Sequence, residues 1–288
     1  MGPLYKFIGD PPDAEFILKG SLKFTPIPEL NDPSELLPRV VRTDIGTSLL
    51  RFQREGYGDD DLQYLRQQGN LLRKFIPLFK LVPLPQTKED ANNILKLGGQ
   101  FAGMLYESLV ALLEEAAQEI SSKVGLLCLT RRCDSLPMWA YYAKNASGVA
   151  VEFHGLDEAF SGDETGVLKQ PVAVRYERGT VGVTFDPRSH ETLFFSKFDD
   201  WRHEQEIRVI MPLEDCHRIS IGERNLHVFE VPRKHVSRVI IGWRATADHC
   251  SEVIELVKSN NPNVRVVKAR VENGQVYFDR QIYPRVAQ

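Results

Sequence analysis

The feature that most constrains the fold is a change of hydrophobic period near residue 124. From Thr87 to about Lys123 apolar residues recur every three or four positions, as on one face of a helix. Beyond that point the pattern predicts short strands, at residues 124–130, 148–153, 168–176, 204–211, 226–231, 236–243 and 264–271. Helices are predicted between them at about 135–145 and 246–259. This clustering of strands favours a mixed α+β fold, with a mostly antiparallel sheet or sheets, over a doubly wound parallel fold.

The N-terminal part predicts a strand, a short helix and a second strand. The strands are expected at Leu4–Ile8 and Ser21–Thr25, with the helix starting at Pro11 after a capping Asp10. Thr87 and Asp90 form a candidate capping box for the long helical segment. Because no linker or composition shift marks a boundary, we expect a single domain over residues 1–288 with a helical insertion at about 36–123.

The amino-acid composition bears on which kinds of molecule the protein is expected to bind. The chain has 36 Lys and Arg against 39 Asp and Glu, a formal charge of −3, so no bulk positive field points to nucleic acid or an anionic membrane. We find neither a long apolar run nor a signal peptide at the start, and therefore expect a cytoplasmic protein without a membrane partner. The four cysteines form no C-x-x-C pair, so neither a disulfide framework nor a metal site is expected.

The string WRHEQEIRVI carries the strongest chemical signal. As the start of a strand it places Glu204, Glu206 and Arg208 on one face. Residues two apart on such a face are about 6 to 7 Å apart, so both carboxylates reach one ligand. Such pairs suit glycosidic-bond chemistry, in which positive charge develops on a sugar carbon. The alternative is a solvated strand face with an internal Glu206–Arg208 pair, which contributes under about 1 kcal/mol.

An aromatic helix forms a second candidate feature. Trp139, Tyr141 and Tyr142 fall within about one turn, and three large rings on neighbouring positions cannot all face the same core. Rings with a polar group suit stacking on a planar base or a pyridinium ring. Trp139 taken by itself is equally well explained as a core anchor.

Two N-terminal positions complete the candidate site. Lys6, beside Tyr5, is a possible phosphate anchor, although most lysines on short strands are solvated. Asn31 and Asp32 precede a proline and are typical turn residues, whose side chains commonly hold their own backbone. We expect them to have a functional role if their loop opens into the same cleft as the two glutamates.

Several strings together resemble a bacterial family, the domain of unknown function number 2971. The resemblance spans nearly the whole chain in order. Its strings are LYKF (4–7), LKFTPIPELNDPSE (22–35), the MW-x-x-Y-A helix with GVAVEF (138–153), K-x-x-x-W-x-x-E-x-E-x-R (197–208) and VSRVIIGW (236–243). In many members His precedes the second tyrosine, where this chain has Tyr141. The bacterial resemblance implies a phage-defence (antiviral) or toxin-type role.

A looser resemblance is to the ADP-ribosyltransferases. These have a basic residue after an aromatic one on an early strand, a middle strand ending in Ser or Thr, and a late E-x-E strand. Tyr5-Lys6, Thr130 and Glu204-Gln205-Glu206 occur here in that order, with Lys6 in place of the usual Arg or His. The resemblance implies an ADP-ribosyltransferase-like fold that uses NAD.

The same resemblance assigns roles to the residues. Glu206 is expected to accept a hydrogen bond from the nicotinamide-ribose 2′-hydroxyl as nicotinamide leaves, and Glu204 to orient the acceptor. Lys6 is expected to meet a pyrophosphate oxygen, and Tyr142 or Trp139 to stack on a ring of NAD. Replacing Glu206 with Gln is then expected to abolish nicotinamide release at a nearly unchanged melting temperature.

The sequence therefore supports the hypothesis of an NAD-using transferase or NAD-cleaving enzyme whose acceptor is a macromolecule or water. One alternative is a metal-dependent nucleic-acid enzyme in which Asp32, Glu35, Glu204 and Glu206 bind Mg²⁺. Another is a non-catalytic ligand-sensing module. The enzyme hypothesis predicts that Tyr5, Asn31, Trp139 and Glu206 line one pocket.

Overall fold

The structure, a computed structural model, describes the chain in segments. These are residues 2–31, 39–40, 63, 66, 85–93, 119–160, 169–178, 182–183, 194–221 and 224–283. The strands are β1 (Leu4–Ile8), β2 (Ser21–Pro26), β3 (Arg39–Val40), β4 (Val124–Thr130), β5 (Val149–Phe153), β6 (Val172–Ala173), β7 (Arg175–Glu177), β8 (Gly182–Val183), β9 (Ser196–Phe198), β10 (Glu206–Pro212), β11 (His217–Ile221), β12 (Arg224–Glu230), β13 (Val236–Ile241), β14 (Arg265–Glu272) and β15 (Gln275–Tyr283). The helices are α1 (Pro11–Leu18), α2 (Leu136–Tyr142), α3 (Leu156–Ala159) and α4 (Ala247–Asn260), with 3₁₀ turns at Ile27–Glu29, Asp199–Glu204, Leu213–Asp215 and Arg233–His235.

One large sheet organises the described residues. Its strands follow the order β11-β12-β2-β4-β1-β5-β13-β14-β15, and β10 pairs with both β4 and β6 beside this path. The pairings within it are antiparallel except for β13 with β14, which are joined through α4. The small ribbons β3–β8 and β7–β9 are parallel. The predicted mixed α+β fold with a mostly antiparallel sheet is therefore confirmed.

Most predicted strands are observed with ends shifted by at most two residues; one prediction fails as a single strand, and another is wrong about the residue at its start. The expected strand at 168–176 is two short strands, β6 and β7. The expected strand from Glu204 begins at Glu206, because Gln205 adopts a left-handed backbone with φ of 43°. The edge strands β11 and β15 were not predicted, since charged and polar residues interrupt their apolar pattern, as edge strands tolerate.

Apolar alternation places a core on each face of the sheet. In β4 and β10 the side chains of Leu127, Leu129 and Val209 point into the larger core, which α1 and α4 cover. A smaller core on the opposite face surrounds Trp139 and includes Phe7. Two of the candidate residues, Tyr5 and Tyr142, pack on this second face with Trp139.

The predicted capping box is present. The Asp90 backbone N–H donates to Thr87 Oγ1 (3.1 Å), and the Thr87 N–H donates to Asp90 Oδ2 (3.0 Å). Residues 88–93 and 119–123 are helical, whereas the remaining part of the predicted insertion at 36–123 lies largely outside the described residues. The single-domain arrangement stays a prediction.

All four cysteines are free thiols. Within the described segments no helix is both long enough and apolar enough to cross a lipid bilayer.

Candidate functional site

A fork in the sheet creates the cleft. One edge of β4 pairs with β10 along its whole length. The other edge is shared, because β2 pairs near Gly125 and Leu126 while β1 meets β4 at Thr130. Strands β1 and β2 diverge from each other here, and a cleft of about 240 Å³ lies between them.

Distant segments of the chain line this cleft. Its lining residues are Tyr5, Lys6, Phe7, Lys23, Thr25, Glu29, Leu30, Asn31, Leu126, Cys128, Leu129, Thr130, Met138, Tyr142, Lys197, Trp201, Glu204 and Glu206. Three of the four residues predicted to share a pocket, Tyr5, Asn31 and Glu206, therefore do so. Trp139 does not.

Strand register brings three candidate residues together. Tyr5 of β1 lies opposite Thr130 of β4, and Thr130 lies opposite Glu206 of β10. Directly opposite residues on antiparallel strands carry their side chains on the same face, with Cβ atoms about 4.5–5.5 Å apart. Residues separated by more than 70 positions in sequence thus form one row across three strands.

Glu204 reaches the cleft by a different route from the predicted one. It ends a 3₁₀ turn rather than sharing a strand face with Glu206, because the left-handed backbone of Gln205 interrupts the extended chain between them. Thr130 Oγ1 donates to the Glu204 backbone carbonyl, and the Arg131 N–H donates to the Gln205 carbonyl at 3.3 Å. The end of β4 thus fixes the turn, and both glutamates line the cleft.

A buried ion cluster joins the two carboxylates. Lys197 Nζ on β9 donates to Glu204 Oε2 (2.8 Å) and to Glu206 Oε2 (3.3 Å). The Arg208 guanidinium grips Glu206 through Nε to Oε1 (2.8 Å) and a second nitrogen to Oε2 (3.1 Å). It also donates to the Phe194 carbonyl at 2.7 Å. Two negative and two positive groups balance in the protein interior.

This geometry contradicts the alternative of a solvated strand face. The Glu206–Arg208 pair exists, but its side chains are 3% and 0% exposed. Burial by itself raises the pKa of Glu206, and the charges of Arg208 and then Lys197 overcome it, lowering that pKa to about 2. Glu206 therefore stays ionised at neutral pH.

Two tyrosine hydroxyls form hydrogen bonds with the segment that contains Glu204 and Glu206. Tyr142 OH donates to Glu204 Oε1 at 2.6 Å. Burial and this bond raise the pKa of Tyr142 well above its ordinary value, so it remains a donor. The hydroxyl of Tyr176 accepts from the Glu206 backbone N–H at 2.8 Å, and burial raises its pKa to about 12.

The prediction that Trp139 stacks on a ligand ring is wrong, whereas Tyr142 lines the cleft and its stacking on a ligand stays a prediction. Trp139 is 0% exposed, its Nε1 donates to the Cys133 carbonyl at 2.7 Å, and its ring meets Phe7 edge-on at 5.0 Å. It is a core anchor and cannot stack on a ligand. Tyr141 is 70% exposed, so the helix sends its three rings in different directions.

Lys6 occupies the fork itself. Its Nζ donates to the Cys128 carbonyl at 2.9 Å and so satisfies a backbone group on the β4 edge. This bond uses one of the three N–H donors of the ammonium, so the role of Lys6 as a phosphate anchor stays a prediction. Asn31 is exposed on the cleft rim, and Asp32 lies outside the described residues.

Tyr5 links the cleft to a second buried carboxylate. Burial, followed by contacts with Cys133 and Glu152, raises the pKa of Tyr5 far above its ordinary value. Glu152 also accepts from Ser237 Oγ at 2.7 Å and from Arg238. Tyr5 therefore keeps its hydroxyl proton at neutral pH and lines the cleft.

Three site residues were missed at the level of single positions: Lys197, Trp201 and Tyr176. Lys197 Nζ lies 4.9 Å from the centroid of the Trp201 ring, which also lines the cleft. The string K-x-x-x-W-x-x-E-x-E-x-R contains Lys197, Trp201 and Arg208 with both glutamates, so its fixed letters coincide with the cluster. Tyr176 has no comparable sequence signal.

The donor set does not favour a divalent cation. In the described part of the chain no group of three or more His, Cys, Asp or Glu side chains could hold a metal. Glu204 and Glu206 already have Lys197 and Arg208 as cationic partners. The other two proposed ligands, Asp32 and Glu35, lie outside the described residues.

Comparison with protein-family models, curated proteins and solved structures finds no match. The two resemblances drawn from the sequence strings therefore stay predictions.

Proposed function

We propose that this protein is an NAD-using enzyme, ADP-ribosyltransferase-like or NAD-cleaving, that breaks the bond between nicotinamide and ribose. The observation that carries the proposal is the pair of carboxylates, Glu204 and Glu206, that share the Lys197 ammonium in a cleft. Fixed carboxylates suit a reaction in which a sugar carbon becomes positive, because they stabilise that charge without reorganising.

The reaction balances without a further reactant. The C–N bond to the pyridinium nitrogen breaks, and its electron pair neutralises the ring, so nicotinamide leaves uncharged. Water, or a hydroxyl or amine of an acceptor macromolecule, forms the new bond to the same sugar carbon. The proton of that attacking group passes to solvent or to a cleft carboxylate.

The volume and the lining residues of the cleft suit the binding of one part of a dinucleotide. A volume of about 240 Å³ lies below the roughly 300–1,000 Å³ typical of drug-sized ligands and suits one nucleoside-sized half. Tyr142 and Trp201 offer ring surfaces in the cleft. Lys23 and Asn31 on the rim are exposed and would face the remaining half, including its phosphates.

The spatial order of strands supports the ADP-ribosyltransferase-like part of the proposal. Tyr5, Thr130 and Glu206 come from early, middle and late strands and lie side by side. That order is the one the looser resemblance implies, and it rests on analogy. A role in phage defence or as a toxin-type effector rests on the bacterial resemblance alone.

The test is nicotinamide release from NAD by the purified protein, quantified by chromatography with and without EDTA. We expect nicotinamide to accumulate equally under both conditions. The variant Glu255→Gln, an exposed position on α4, serves as a matched control and should behave as the wild type.

Each alternative predicts a different outcome of the same experiment. Nicotinamide release that EDTA abolishes would show that a metal ion takes part in the reaction, and would contradict the expectation of equal release. Binding of NAD without any nicotinamide release would support a sensing module. Neither binding nor release would reject the proposal.

A further inference from the structure

The two cleft glutamates differ in how much of their hydrogen-bonding capacity is already used. An ionised carboxylate offers about four lone-pair sites. Glu206 accepts two bonds from Arg208 and one from Lys197. The protein thus takes about three of its four sites, and both of its oxygens are held by a buried cation.

The Glu204 carboxylate accepts fewer hydrogen bonds from the protein. It accepts one bond from Tyr142 OH at Oε1 and one from Lys197 at Oε2 among the described residues. About two of its four sites therefore remain for a ligand. Because Glu204 lines the cleft, those sites are available to a sugar hydroxyl placed there.

We propose that Glu204 is the catalytic carboxylate that contacts the substrate sugar, and that Glu206 is a positioning residue acting through Lys197. This inference rests on the proposed function and reverses the roles that the ADP-ribosyltransferase resemblance assigns to the pair. Glu206, held by Arg208, fixes the Lys197 ammonium. Lys197 then orients Oε2 of Glu204, while Tyr142 orients Oε1.

The division of roles follows from the rigidity of each partner. Arg208 is fully buried and tied to the Phe194 carbonyl, so its two bonds to Glu206 are costly to break. A ligand hydroxyl that met Glu204 would add a bond to a carboxylate already oriented by two donors. It would leave the four-charge cluster intact.

Three variants separate the roles. Glu204→Gln keeps the side-chain shape and leaves Glu206 to pair with Lys197 and Arg208. The double variant Glu206→Gln/Arg208→Met removes the buried pair together and leaves Glu204 paired with Lys197. Glu206→Asp keeps the charge but withdraws it from the cleft by one methylene, and it provides a second test where the double variant does not fold.

The measurement is kcat and KM for nicotinamide release, with a melting curve for each variant. We expect Glu204→Gln to lower kcat at least about 100-fold, as for loss of one preorganised electrostatic group, with KM changed less than about threefold. We expect the double variant and Glu206→Asp to lower kcat by about three- to tenfold with KM unchanged, because Glu204 is less well oriented. A purely structural role for Glu206 would leave kcat of the folded variants unaltered.

The outcomes distinguish this inference from the proposed function. If the wild type releases no nicotinamide, both fall. If the wild type is active and Glu204→Gln retains its activity, only the division of roles is overturned. Loss of about 100-fold in kcat by a folded Glu206→Asp would also overturn it, since a positioning residue should tolerate that change.

Discussion

At the scale of single residues, the buried positive charge of Arg208 determines how Glu206 is held. Arg208 is always protonated and has no contact with solvent, so its charge must be balanced locally. The negative charge of Glu206 compensates the positive charge of Arg208, so this carboxylate stabilises the folded protein. The sequence indicated the pair but not its burial, because burial depends on strands far away in the chain.

The variant Glu206→Gln should destabilise the protein by about 3–5 kcal/mol, because it leaves the Arg208 charge uncompensated in the interior. This revises the expectation of an unchanged melting temperature. Chemical denaturation of the variant beside Glu255→Gln measures the effect. A loss below about 1 kcal/mol would show that solvent reaches Arg208.

Tyr142→Phe should lower the free energy of unfolding by about 1–2 kcal/mol, because the bond from its hydroxyl to Glu204 is lost while the ring stays. Tyr141→Phe is the matched control on the same helix, since Tyr141 is mostly exposed and should show almost no change. Equal effects of the two substitutions in thermal or chemical unfolding would argue against the Tyr142–Glu204 bond.

The depressed pKa of Glu206 predicts a pH dependence of stability. Its folded pKa of about 2 lies below the ordinary 4.5, so it stabilises the folded state fully above pH 4.5. That contribution is lost as pH falls from about 4.5 toward 2. The wild type should therefore lose more unfolding free energy over this window than Glu206→Gln/Arg208→Met, as measured by denaturation at several pH values. Parallel curves would contradict the assignment.

At the scale of secondary-structure elements, the boundary between the 3₁₀ turn and β10 determines how Glu204 and Glu206 enter the cleft. The alternating pattern correctly predicted strands through most of the sheet, because apolar faces must be buried. It placed Glu204 on a strand, since nothing in the letters HEQE signals a left-handed residue at Gln205. Trp139 was similarly ambiguous, because the direction of a helical ring depends on what packs against it.

Gln205 offers a test at this scale. A β-branched residue is poorly accommodated at positive φ, so Gln205→Val should destabilise the protein by about 1–3 kcal/mol, whereas Gln205→Gly should be neutral or slightly stabilising. Unfolding of both variants by denaturant checks the prediction. If valine is tolerated as well as glycine, the chain does not turn there.

The large sheet assembles the site at the scale of the whole molecule. Strands β1, β4 and β10 come from three distant segments, yet their register places Tyr5, Thr130 and Glu206 in one row. The order of these residues along the chain could be found in the sequence. Their adjacency could not, because it depends on strand pairing, and neither could the role of Lys6 in the fork.

The most direct test of the central claim is nicotinamide release from NAD, measured side by side for the wild type and Glu204→Gln. The cleft geometry predicts steady release by the wild type and a rate at least about 100-fold lower for the variant, with both proteins folded. No release by the folded wild type, or equal release by both, would contradict it.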